Sequence, residues 1–292
     1  MRKSRHAFTM LARMDYRLLF VGQWRLAVLA DAWSPEIEQR VLQIVGAQPW
    51  AKHPQTIPFS FSEAGQPIEF YLKIFHPRRG GAACKDAFRS SKAFRAWRQG
   101  IALARTGFAV PVTIAAGERR VFRFLRCAFT LTKRIAGQPV PLFLRDWVDG
   151  RDPKARMAAK RAGLKHLARL LRRFHQNGFV HGDLVASNIL VSDAGPGGPV
   201  FYLMDNDRTR RYPAWMPQSL WKRNLVQLNR MPLPGITLQD RMRFFEAYFG
   251  RHELTGRDRK LAKWLERKTR QRRKECDGVD PSGDFRILMR CS

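Results

Sequence analysis

The stretch Phe174-His175-Gln176-Asn177-Gly178-Phe179-Val180-His181-Gly182-Asp183-Leu184-Val185-Ala186-Ser187-Asn188-Ile189-Leu190-Val191 decides how this chain folds. Leu164, Leu167, Leu171 and Phe174 recur at helical spacing, and Asn177-Gly178 is a helix stop. A short loop then presents His181, Asp183 and Asn188, and Ile189-Leu190-Val191 reads as a buried strand. A Gly/Pro turn at residues 195–199 leads into a second apolar run, Phe201-Tyr202-Leu203-Met204, which ends on Asp205-Asn206-Asp207-Arg208. Two apolar runs around such a turn pair as a hairpin, which returns Asp205 to the side of the loop.

Phosphoryl transfer from ATP needs few protein groups. A carboxylate orients or deprotonates the attacking hydroxyl, an amide and a second carboxylate hold Mg²⁺ on the phosphates, and a lysine positions the α- and β-phosphates. Kinase catalytic loops follow the pattern HxDxxxxN, and His181, Asp183 and Asn188 match it. Asp205 follows a buried strand, where the metal-binding aspartate of kinases belongs. Lys73, in Phe70-Tyr71-Leu72-Lys73-Ile74-Phe75, lies in an alternating strand that resembles the kinase lysine strand. Taken singly, Asn188 is a turn cap, Lys73 a solvated strand lysine, and Asp205 and Asp207 turn residues. Their order, spacing and strand contexts together select the kinase-like reading.

On the N-terminal side, residues 16–33 read as strands and 41–45 as another short run. Residues 46–58, with Pro49, Pro54 and Pro58, read as loop. Residues 59–61 and 68–75 flank Glu63-Ala64-Gly65-Gln66 as a hairpin. Residues 90–106 read as a helix, with Phe94, Trp97, Ile101 and Ala104 on one face and Gly107 as its stop. Strands are expected at 110–114 and 121–131, and a connector at 137–141. Asp152-Pro153 starts the long helix before the loop. Further helices are expected from Trp221, over 238–249 and over 257–274. The expectation is an α+β fold of two lobes: a β-rich N-lobe, residues 1–136, and a helical C-lobe, residues 137–292.

Of the 292 residues, 54 are Lys or Arg and 24 Asp or Glu, a formal net charge of +30. Net charge speaks to partners rather than to fold. Nucleic acid, an anionic membrane surface and a polyanionic soluble substrate all fit. Cys84, Cys127, Cys276 and Cys291 form no CxxC pair and read as reduced thiols of a cytosolic protein. Met1-Arg2-Lys3-Ser4-Arg5 is basic, and Arg13, Asp15 and Arg17 interrupt the apolar residues after it, so no signal-peptide apolar region is expected. No apolar run approaches the ~18 residues of a spanning helix.

Over residues 68–249 the chain resembles the lipopolysaccharide kinase (Kdo/WaaP) family. The likeness rests on Tyr71-Leu72-Lys73, residues 91–97 with Phe108-Ala109-Val110-Pro111, the HGDLVASNILV loop and Asp205-Asn206-Asp207-Arg208. It continues in Arg223-Asn224-Leu225-Val226-Gln227-Leu228-Asn229 and Arg243-Phe244-Phe245-Glu246-Ala247-Tyr248. The resemblance implies an ATP- and Mg²⁺-dependent kinase acting on a sugar hydroxyl of the lipopolysaccharide inner core. Asp183 would be the catalytic aspartate, Asn188 and Asp205 would hold Mg²⁺, and Lys73 would contact ATP. Asp207 would support the metal or pair with Arg208, and His181 would pack the loop. The implied location is cytoplasmic, peripheral on the inner membrane.

The sequence also departs from the kinase pattern. No GxGxxG loop precedes Lys73; a strand-to-strand connection within residues 46–58 would place Lys52 and His53 over the phosphates instead. No glutamate follows to pair with Lys73, and Asp86 is the nearest acid. Residues 257–274 carry Leu261, Trp264 and Leu265 among cations, as an interfacial helix would; a solvated helix packed by those three is the plainer reading. Two alternatives stand beside the sugar kinase. One is a phosphotransferase of the aminoglycoside type, which shares the HGD loop but takes cationic substrates. The other is a catalytically weak kinase-like module that binds nucleic acid or anionic lipid through its basic surface.

Overall fold

The computed structural model describes residues 15–274 apart from 64–65, 79, 150–152, 193–197, 214–218, 232, 234 and 252. The basic N-terminal residues, Gly65, Asp152, the Gly195 turn, Cys276 and Cys291 lie outside the described residues. The chain forms two compact units. The first takes the described residues up to Ala136 together with Asp205–Arg208, and the second takes the remainder.

The first unit holds β1 (Tyr16–Val21), β2 (Trp24–Leu29), α1 (Pro35–Ala47), β3 (Gln55–Glu63), β4 (Gln66–Phe75), α2 (Gly81–Ala87), α3 (Lys92–Arg105), β5 (Thr113–Val121) and β6 (Phe124–Lys133). The strands form one antiparallel sheet in the order β1-β2-β5-β6-β4-β3. Alternation along β4 sends Leu72 and Ile74, both fully buried, into a core with Leu26, Phe129 and Leu131. Lys73 and Phe75 alternate to the opposite face, where Phe75 packs with Ala93 of α3.

Residues 41–45 are not a strand. Ile37, Val41 and Val45 repeat every four residues, and all three are buried against the sheet. Ser34 accepts a hydrogen bond from Ile37 N at 3.3 Å, and Pro35 occupies the first turn, so cap and proline start a helix here. The expected loop over 46–58 therefore shrinks to residues 48–54, because β3 begins at Gln55. The expected strand at 110–114 begins only at Thr113, and the expected strand at 121–131 divides. Val121 closes β5 opposite Phe124, and Phe122-Arg123 make the turn between them.

The second unit holds β7 (Gln138–Pro139), α4 (Val140–Asp149), α5 (Pro153–Gln176), β8 (Phe179–Val180), β9 (Ile189–Ser192), β10 (Val200–Leu203), β11 (Arg210–Arg211), α6 (Ser219–Leu228), α7 (Leu238–Phe249) and α8 (Gly256–Lys274). Residues 137–141 are thus more than a connector: β7 pairs with β9, and α4 starts at Val140. The inward face of α5, Leu167, Leu171 and Phe174, is buried with Phe179, Leu184 and Ile189. Each such side chain contributes about 1.5–3 kcal/mol of burial. Thr237 and Asp240 form a capping box at the start of α7. Asp240 also binds Lys160 of α5 at 2.8 Å, which locks the two helices together.

Candidate active site

The loop begins where α5 stops. Gly178 has φ 80°, and a Cβ there would stand 2.3 Å from the carbonyl oxygen of Tyr212. Glycine is required on both counts. Tyr212 N donates to Gly178 O at 2.8 Å, and β8 and β11 pair beside it.

His181 is fully buried. Its Nδ1 accepts from Asp183 N at 3.1 Å, and its Nε2 lies 2.8 Å from Met204 O. A ring that accepts at Nδ1 and faces a carbonyl at Nε2 is the neutral tautomer with Nε2–H. One nitrogen is thus spent on the loop's own backbone and the other on the backbone just after β10. Asn188 Nδ2 donates to Asp183 O at 2.9 Å, and Met204 N donates to Asn188 O at 2.9 Å. The β9–β10 hairpin thus returns to Asn188 one residue before Asp205. The Asp183 carboxylate is half-buried. Among the described residues, none donates to it or to Asn188 Oδ1.

Two residues of α6 hold this loop. Asn224 is fully buried. Its Oδ1 accepts from His181 N at 2.9 Å and lies 3.2 Å from His175 Nε2. Its Nδ2 donates to His181 O and, at 3.0 Å, to Gln227 Oε1. Gln227 Nε2 donates to Gly182 O at 3.1 Å, and its Oε1 accepts from Leu184 N at 3.3 Å. An amide is needed at both positions because each must donate and accept at once. His175 continues the chain, with Nδ1 2.8 Å from the Tyr248 hydroxyl. Burial holds the His175 ring neutral, its pKa pushed down to about 4. In the sequence, family likeness alone marks the Asn-Leu-x-Gln-Leu-Asn stretch, and it assigns these residues no role. The final residue of that stretch, Asn229, binds Thr269 of α8 at 3.3 Å. The periodicity of polar residues on a half-apolar helix was the available signal.

In the first unit, Lys73 Nζ lies 2.5 Å from Asp205 Oδ1. Asp205 adopts φ 55°, a left-handed conformation that aspartate tolerates better than most residues. Asp207 is buried in the same turn, packed against α3. Burial, then the neighbouring Asp205 charge, raise its pKa, against the pull of Lys73, Lys92 and Arg208. Asp86 is not the partner of Lys73. Arg78 holds it instead, with Nε on Asp86 Oδ2 at 2.8 Å, and keeps its carboxyl below the usual range.

Lys52 is exposed in the link between α1 and β3. The expected strand-to-strand connection is contradicted, because α1 runs through Gly46 and the link joins a helix to a strand.

Asp205 and Asp207 supply hard carboxylate oxygens in one turn of the first unit; in the second unit, Asn188 carries an amide oxygen that receives no hydrogen bond from a described residue. That donor chemistry fits Mg²⁺, which takes one or two protein oxygens plus phosphate and water. Among the described residues no group of three or more His, Cys, Asp or Glu is placed to hold a metal by itself.

The profile of the lipopolysaccharide kinase (Kdo/WaaP) family matches residues 77–248. The 3-deoxy-D-manno-octulosonic acid kinase of Xanthomonas campestris pv. campestris (strain B100) is 33% identical over 171 residues, which cover 52% of this chain and 66% of that protein. The kinase of the same name from Xanthomonas euvesicatoria pv. vesicatoria (strain 85-10) is 32% identical over the same shares. The match thus spans just under two thirds of these relatives. A solved structure of WaaP in complex with acyl carrier protein superposes with a TM-score of 0.54 at 20% identity, covering 91% of this chain and 92% of that one. That likeness shows a protein-kinase-like α+β fold.

Proposed function

The chain belongs to the lipopolysaccharide kinase (Kdo/WaaP) family, and we propose accordingly that it transfers the γ-phosphate of ATP to a sugar hydroxyl of the lipopolysaccharide inner core. One observation carries the reading. The backbone from His181 to Leu184 is tied down by Asn224 and Gln227, while the Asp183 carboxylate receives no hydrogen bond from a described residue. A rigid loop that leaves one carboxylate uncommitted suits a general base.

In the proposed reaction, Asp183 accepts the proton of the acceptor hydroxyl as its oxygen bonds to the γ-phosphorus. The bond from that phosphorus to the β–γ bridging oxygen breaks, and ADP leaves. Asn188 and Asp205 are the proposed Mg²⁺ ligands, with Asp207 in support. The ion would supply charge neutralisation on the phosphates. Lys73 carries three donors, so it can serve Asp205 and a phosphate oxygen together. Lys52 is proposed as a further phosphate contact, supported by its exposure and charge alone.

The net charge of +30 supports an anionic glycolipid as acceptor and an anionic membrane as the working surface. No helix among the described residues is long and apolar enough to cross a membrane. On α8, Leu265 is buried and Leu261 and Trp264 are half-buried, so that helix offers the solvent mainly its ten Lys and Arg.

The test is ATP binding by calorimetry with Mg²⁺, for the wild type and Asp205→Asn, followed by transfer to isolated inner-core lipopolysaccharide. Mg²⁺-dependent binding that weakens in the variant supports the reading. Absence of both binding and transfer, with salt-sensitive RNA binding instead, would replace it with the nucleic-acid module.

A further inference from the structure

The first unit carries an aromatic and arginine surface that nothing in the proposed chemistry uses. Val21 pairs with Trp24 and Val121 with Phe124, so β1–β2 and β5–β6 each close through a two-residue turn. Trp24 lies opposite Arg119, which puts both turns at one end of the sheet. Three phenylalanines stand out there or beside it: Phe20 is 77% exposed, Phe88 78% and Phe122 91%.

This exposure is built rather than incidental. Phe122 and Arg123 both adopt positive φ, 46° and 69°. Tight turns of this kind favour Asn-Gly or Asp-Gly, because a bulky side chain strains that backbone. Here a phenylalanine takes the strained position and turns almost its whole ring to solvent. Arg120 fastens the turn to the link between α2 and α3. Its Nη1 donates to Arg123 O at 2.8 Å and to Asp86 O at 3.1 Å, and its Nη2 donates to Arg89 O at 2.8 Å. The Arg123 guanidinium sits 5.1 Å over the Phe88 ring.

Between these elements lies a cleft of about 390 Å³ whose walls include Arg25, Arg89, Arg120 and Arg123, with Phe20 and Phe88 at its edge. The carboxylate in its wall, Glu118, is buried and already bound by Arg120 at 3.2 Å and Arg25 at 3.6 Å. Exposed aromatic rings beside a cationic hollow match the interface of an anionic bilayer. Phenylalanine rings bury at the headgroup–acyl boundary, and guanidinium groups meet lipid phosphates.

We infer that this end of the sheet is the membrane-docking surface, with Phe20, Phe88 and Phe122 entering the headgroup layer of an anionic phospholipid bilayer and the exposed Arg89 and Arg123 binding lipid phosphate. The inference rests on the proposal that the protein works at such a membrane, and it moves the apolar contact from α8 to the N-terminal unit.

The experiment is co-sedimentation of the full chain with phosphatidylcholine vesicles, with and without phosphatidylglycerol. The wild type is expected to bind the phosphatidylglycerol vesicles, and Phe20→Ser/Phe88→Ser/Phe122→Ser to bind them roughly tenfold more weakly or worse. Arg89→Gln/Arg123→Gln should lose the preference for phosphatidylglycerol. A Phe122→Trp variant should gain fluorescence that brominated lipid quenches, and single substitution at an exposed turn keeps the fold. Undiminished binding by the serine variant, with loss in a Lys263→Gln/Arg267→Gln/Arg270→Gln variant, would overturn the inference in favour of α8. Failure of the wild type to bind either vesicle would also overturn it. Transfer to detergent-solubilised acceptor keeps the two readings apart. The serine variant should keep the wild-type rate there, whereas a dead wild type with aromatic-dependent docking would sink the kinase reading alone.

Discussion

Lys73 on β4 and Asp205 after β10 form an ion pair at 2.5 Å although 132 residues separate them in sequence. The lysine is 27% exposed and the aspartate 38%, so solvent screens the pair. Exposed pairs of this kind are worth about 0–1 kcal/mol. Stability is therefore not what the lysine is for. Lys73→Met should lower the stability read from urea denaturation by less than about 1 kcal/mol. The same change should weaken Mg·ATP binding roughly tenfold or more, because a desolvated phosphate contact is lost. Calorimetric titration alongside urea denaturation separates the two effects.

Asn224 fills its hydrogen-bonding capacity with His181, His175 and Gln227. Asn224→Ala strands the His181 N–H and C=O in a buried site, at about 1–3 kcal/mol for each group left unsatisfied. Denaturation should show a loss of about 2–4 kcal/mol, with non-additivity where the network is shared. Asn224→Asp keeps the shape but loses both donors and turns a carboxylate oxygen toward Gln227 Oε1. Its kcat should fall much further than its KM for ATP rises, because Asp183 is displaced while the Lys73 end of the first unit is untouched. Equal changes in both would mean a general loss of fold.

His175 makes the second unit acid-sensitive. Burial lowers its pKa from 6.5 to about 4. Between those values the unfolded chain takes up a proton that the folded protein refuses, so stability falls as pH falls from 6.5 toward 4. The full span is about 3 kcal/mol, of which about 2 kcal/mol is lost by pH 5. Chemical denaturation at pH 7 and pH 5 reads it directly. His175→Gln should be less stable at pH 7 and should lose markedly less between the two.

The parts of this architecture written in local spacing were legible in the sequence. The long helix, its Asn-Gly stop, the loop and the two apolar runs that pair as β9 and β10 depend on neighbours within a few residues. The parts that depend on tertiary choice were not. Residues 41–45 are too short a run to tell strand from helix, and only the sheet that buries Ile37, Val41 and Val45 decides it. The turn at Phe122-Arg123 carries none of the Gly or Asn that would announce it, so β5 and β6 read with the wrong ends. The kinase pattern asks for an acid on the helix after Lys73, but the nearest one, Asp86, is held by Arg78; the partner, Asp205, comes from another part of the chain. Asn224 and Gln227 could be seen as polar residues on α6, but their contact with the loop follows from the packing of α5, α6 and α7.

The most direct test is γ-phosphate transfer from labelled ATP with Mg²⁺ to purified inner-core lipopolysaccharide, comparing wild type with Asp183→Ala. The prediction is transfer by the wild type and a loss of at least about a hundredfold in the variant, the scale of general acid–base catalysis, with the variant's unfolding midpoint unchanged. Transfer retained by a folded Asp183→Ala protein would contradict the role of Asp183 as the base.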